Sequence, residues 1–117
     1  MLNLSDCKVL KEMPERLHEM FALESLNLTR CVELTKVPAS MSRLQHLRSL
    51  DMEECTQLTS LPDIKSTRVL FPHLEYLNLN RCDRIAYIPS WVTEAERRGG
   101  AVIRPANYGE FNEGDDE

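Results

Sequence analysis

Long hydrophobic runs are missing from this chain of 117 residues. The longest are a few residues, as at Val69-Leu70-Phe71. A membrane span needs about 20 apolar residues, so none is expected. Met1 to Asp6 offers no basic flank followed by an apolar stretch, so no signal peptide is read there and a cytoplasmic location is expected. Glycine is scarce, with four in all and none in a phosphate-cradling arrangement. Gly-x-Ser-x-Gly and His-Glu-x-x-His motifs are both missing, and Ser25, Ser49 and Ser66 have no local base signature. Neither an enzyme nor a cofactor is expected.

A basic surplus is missing too. The net charge is −5, and five acidic residues (Glu110, Glu113, Asp115, Asp116, Glu117) fall within 106–117, which holds no Lys or Arg. Without them the body carries fourteen acidic and fourteen basic residues. A neutral body with an acidic tail argues against a nucleic-acid binder, which needs a clustered basic surface. A polar, Gly-containing acidic tail is expected to stay disordered.

What is present is a repeat. Cys7, Cys31, Cys55 and Cys82 are separated by 24, 24 and 27 residues, as are Pro14, Pro38, Pro62 and Pro89, and also Leu2, Leu26, Leu50 and Leu77. Three residue types sharing one set of intervals define repeating units. The third unit runs Leu47-x-x-Leu50-x-Met52-x-x-Cys55-x-x-Leu58-x-x-Leu61-Pro62. Its Leu-x-Leu core has period two, the signature of a short strand with one buried face. Apolar residues then recur at every third position, which suits tight 3₁₀-like turns. Proline after Leu61 or Ile88 fixes φ and donates no hydrogen bond, as an irregular outer arc allows. One such coil cannot bury its apolar face alone, so stacking into a solenoid is expected.

The pattern Leu-x-x-Leu-x-Leu-x-x-Cys-x-x-Leu-x-x-Leu-Pro resembles the leucine-rich repeats of intracellular receptors, most of all plant nucleotide-binding immune receptors. The segment from Phe71 to Cys82 carries the resemblance most fully. It implies an α/β solenoid: a right-handed coil with a short parallel sheet on its concave face and 3₁₀ or irregular convex arcs. It also implies a protein-binding module in innate immunity, serving ligand recognition or autoinhibition. A stand-alone effector or adaptor recruiting a partner to an enzyme such as a ubiquitin ligase is the alternative. In the resembled family the Cys position satisfies backbone groups where the chain leaves the strand.

The expected organisation is four repeats over 1–92, a degenerate repeat acting as cap over 93–105, and the acidic tail over 106–117. Adding 24 to Leu77 and Leu79 gives Ala101 and Ile103 as the inward residues of a fifth strand, after a helical stretch from Trp91 to Arg98. No cap precedes the first strand. Either a longer array continues there, or the open edge docks on a partner or a second copy. A three-residue insert around Lys65-Ser66-Thr67-Arg68 reads as a bulge on the outer arc.

Four cysteines raise the question of zinc or disulfides. One thiol per rung cannot converge on a tetrahedral ion, and parallel side chains in a ladder are poorly aimed for bridging. A row of free, structural thiols in a reducing compartment is the reading adopted. His18, His46 and His73 share a rough period and are expected on the convex side in surface or packing roles. Glu53 and Glu54 are adjacent carboxylates, but a strand would turn them to opposite faces.

Aligning the repeats places a protein-binding face on the outward side of the sheet. Its columns are Ser25, Ser49, Tyr76; then Asn3, Asn27, Asp51, Asn78; then Ser5, Thr29, Glu53, Asn80. Flanking columns add Asp6, Arg30, Glu54, Arg81 and Glu24, Arg48, Glu75. Tyr76 is the aromatic anchor, and Arg30, Arg48 and Arg81 are candidate forks for a partner's carboxylates. Glu53 and Glu54 supply an acidic spot.

Overall fold

The computed structural model describes residues 1–13, 17–37, 39–62 and 70–106. The insert at Lys65 to Arg68, Pro14, Pro38 and the tail over 107–117 lie outside the described residues. Five strands, β1 (Leu2–Asn3), β2 (Ser25–Asn27), β3 (Ser49–Asp51), β4 (Tyr76–Asn78) and β5 (Ala101–Ile103), form one parallel sheet in chain order. Leu2, Leu26, Leu50 and Leu77 pair across it, so the sequence interval is also the sheet register. The strands are short, but backbone bonds between neighbours continue past them. Leu28 N–H donates to Asp51 O at 2.7 Å, Arg30 N–H to Glu53 O at 2.8 Å and Glu54 N–H to Asn80 O at 2.8 Å.

Each chain segment leaves the sheet through one left-handed residue. Asp6, Arg30, Glu54 and Arg81 have φ of 61°, 61°, 62° and 68°. A non-glycine residue there costs about 1 kcal/mol, offset by the inter-strand bonds that Asp6, Arg30 and Glu54 N–H donate. Tight turns follow: Cys31 N–H donates to Leu28 O and Leu34 N–H to Cys31 O, both at 3.2 Å. These three-residue steps are why the apolar period changes from two to three after the strand. Two 3₁₀ turns, Leu17–Glu19 and Ala39–Arg43, occupy the return path of the first two units.

The core is a set of rows. Leu26, Leu50 and Leu77 are buried, as are Leu28, Met52 and Leu79, then Cys31, Cys55 and Cys82, and then Leu34, Leu58 and Ile85. Their counterparts in the first unit, Leu2, Leu4, Cys7 and Leu10, are only half-buried, and Phe21 is 65 % exposed. The flank beyond β1 is therefore open among the described residues.

The other flank is closed by α1 (Ser90–Arg97). Its Trp91 sits edge-on to Phe71 with centroids 4.9 Å apart, and its indole N–H donates to Pro62 O at 2.7 Å. The helix ends where Gly99 N–H donates to Glu96 O and Gly100 N–H to Ala95 O, with Gly99 at φ 91°. That left-handed exit favours glycine. Gly100 is needed for closeness: a Cβ there would lie 2.9 Å from the Ala95 carbonyl oxygen. Arg104 then clamps the strand to the helix, with Nε and Nη2 each 2.8 Å from a Glu96 carboxylate oxygen.

One expectation about β5 is corrected. Val102, not Ala101, pairs with Leu77, while Ala101 faces Tyr76 and Ile103 faces Asn78. Val102 is half-buried and its neighbours are exposed. The turn after α1 adds one residue to the interval, and a one-residue slip swaps every side chain between faces. No helix among the described residues is long and apolar enough to cross a membrane.

Candidate functional site

The register assembles the outward face in rows. Ser25, Ser49 and Tyr76 stand side by side, with Ala101 completing the row; Asn27, Asp51 and Asn78 form the next, completed by Ile103. The two terminal members were missed from sequence because they were assigned to the inward face. The available signal was the apolar β-branched Val102 between them, which fits the leucine row.

The Asn/Asp row works for the backbone. Asn3, Asn27, Asp51 and Asn78 each accept, through Oδ1, the N–H of the residue two positions on, at 2.9, 2.9, 3.1 and 2.9 Å. The inter-strand bonds that continue past the strands do not use the N–H groups of Ser5, Thr29, Glu53 and Asn80, so these need a local acceptor. Thr29 also donates its hydroxyl to Asn27 Oδ1 at 2.7 Å. Asn78 does more. It is 5 % exposed, and its amide nitrogen donates to Glu53 Oε1 at 3.4 Å and to the Tyr76 hydroxyl at 3.1 Å. Asn80 donates to the other Glu53 oxygen at 3.2 Å. Glu53, Tyr76, Asn78 and Asn80 therefore form one polar patch across β3 and β4.

The arginines differ in availability. Arg30 grips Asp6 bidentately, Nε to Oδ1 at 2.6 Å and Nη2 to Oδ2 at 3.0 Å, and lies 3.8 Å from Glu54. The Arg30 guanidinium holds the Asp6 carboxyl below its usual range, and Asp6 in turn raises Arg30. Arg48 pairs with Glu75 at 2.6 Å. Arg81 is exposed and has no carboxylate partner among the described residues. Among the described residues, Arg30 and Arg48 are thus committed to carboxylates of the same chain and Arg81 is not.

Glu53 and Glu54 do not sit on a strand, because β3 ends at Asp51. Glu54 adopts the left-handed conformation, which breaks strand alternation. The Glu54 carboxylate lies 3.8 Å from the Arg30 guanidinium. An acid–base pair is not built here, since the two groups serve different neighbours: Glu53 the β4 amides and Glu54 the guanidinium.

The thiols form a hydrogen-bonded row. Cys31 Sγ donates to Leu4 O at 3.1 Å, Cys55 to Leu28 O at 3.1 Å and Cys82 to Met52 O at 3.0 Å. Each thus closes a carbonyl of the preceding unit, and all four cysteines are free. Burial pushes the Cys31 thiol up to about 11. The neighbouring Cys82 thiol and burial raise Cys55. Among the described residues no group of three or more His, Cys, Asp and Glu side chains is placed to hold a metal ion.

His46 and His73 stack in neighbouring units, with centroids 6.4 Å apart. Each immediately precedes the first leucine of its repeat, Leu47 or Leu74; His18 does not, and the matching residue in its unit is Ala22. Comparison of the chain with protein-family models and with curated proteins gives no match.

Proposed function

We propose that this chain is a leucine-rich-repeat solenoid that binds another protein through the outward, concave face of its sheet and carries out no catalysis. The observation that supports this reading is the polar patch of Glu53, Tyr76, Asn78 and Asn80, with exposed Arg81 following Asn80 in the chain. Aromatic and arginine side chains supply most of the binding energy in protein interfaces. The backbone under these residues is already satisfied by the Asn/Asp row, so binding does not have to repair it. Five rungs span only about 20 Å, which suits a modest interface. A cytoplasmic setting is supported by three buried free thiols, and the resemblance to intracellular immune receptors suggests ligand recognition or autoinhibition there.

The test is affinity capture from the source cell with the intact chain, Tyr76→Ala and Arg81→Ala. Loss of the same partner from both variants is expected. Retention of every partner by both overturns the reading. A second reading, assembly through the edge of β1, is favoured by the half-buried Leu2, Leu4, Cys7 and Leu10 and by the exposed Met20 and Phe21 of the same unit. It requires concentration-dependent association, measured by sedimentation, that Leu4→Lys abolishes.

A further inference from the structure

We propose that His46 and His73 form a two-imidazole chelating site for a divalent transition-metal ion. The fold brings these residues together: they occupy the same position in successive units, and two residues further on Glu75 N–H donates to Arg48 O at 2.8 Å. Both side chains are exposed, and their rings are parallel within 10° at a centroid separation of 6.4 Å. With metal–nitrogen bonds of about 2 Å, two imidazoles sharing an ion have centroids roughly 4.5 Å apart when cis and roughly 6.5 Å apart when trans. The observed pair is stacked and wider than the cis separation, so chelation requires the two rings to turn and close on one another. Parallel planes become convergent by rotation about the ring torsion, which is broad and soft for histidine.

Ala22 is the equivalent residue on one side and Arg98 on the other, so the site has two protein ligands and stops there. Arg98 Nη2 is directed to Phe71 O at 3.1 Å, and Glu75 is held by Arg48. Imidazole pairs suit copper, nickel and zinc. This site is separate from the β3–β4 patch, and the protein-binding reading does not depend on it.

The test uses Ni²⁺, because softer ions also seek thiolates. Calorimetric titration of the intact chain in a non-coordinating buffer is expected to show one ion per chain. His46→Ala and His73→Ala are each expected to weaken binding at least tenfold, and His18→Ala to leave it unchanged. Both substituted residues are exposed, and a thermal melt checks that the variants fold. Absence of saturable binding, equal loss in His18→Ala, or full retention in either His46→Ala or His73→Ala overturns the proposal.

Discussion

Single side chains divide here into those that hold the backbone and those that are left over. Asn27 receives both the N–H and the hydroxyl of Thr29, so Asn27→Ala leaves a half-buried donor without an acceptor. A loss of about 1 kcal/mol is expected from urea denaturation, since a lost hydrogen bond costs roughly that much. Asn78→Ala removes three such contacts at a buried position and is expected to cost about 2 kcal/mol or more. The thiols carry a pH signature. With Cys31 raised from near 9 to about 11, its contribution is intact below the unfolded value and is lost as pH rises. The unfolded chain ionises first, so stability falls between roughly pH 9 and 11. Urea midpoints across that window, compared with Cys31→Ala, check this: the variant is expected to show a shallower decline.

At the scale of elements, the closing piece is α1 with β5, and its two glycines are not equivalent. Gly99 needs left-handed backbone, whereas Gly100 needs the absence of a Cβ against the Ala95 carbonyl. Gly100→Ala forces the helix end away from β4 and is expected to cost about 1–3 kcal/mol. Hydrogen exchange is expected to quicken first at Ala101 and Leu79, whose N–H groups bridge β4 and β5. Uniform quickening across β2 and β3 would count against this local account. The Arg104–Glu96 clamp belongs to the same element, and its loss is expected to loosen the same amides.

For the whole molecule, the core is strongly graded along the sheet. Leu26 and Leu50 are fully covered by units on either side, while Leu2 is covered on one side alone. Truncating a buried leucine costs about 2–5 kcal/mol. Leu50→Ala is expected at that level and Leu2→Ala well below it. Comparable losses would mean that the flank beyond β1 is covered in solution. Leu50→Asp is expected to abolish cooperative unfolding, because it buries an unpaired charge.

How much of this was legible in the amino-acid sequence varies with the kind of interaction. The intervals of 24, 24 and 27 residues were enough to align Leu26 with Leu50 and Leu77, because chain periodicity and sheet register are the same quantity when each unit adds one strand. The outward columns followed from strand alternation. The pairing of Asp6 with Arg30 and of Arg48 with Glu75 was not read from the sequence, where both arginines stood as forks for a partner's carboxylates. Tertiary structure alone decided that Arg81 has no carboxylate partner among the described residues, that Asn78 joins Glu53 to Tyr76, and that Val102 takes the leucine row. Those outcomes depend on distances between rungs and on one residue in the turn after α1. A counting argument is blind to both, because a strand of three residues pairs almost equally well one step out of register until its neighbours fill the space.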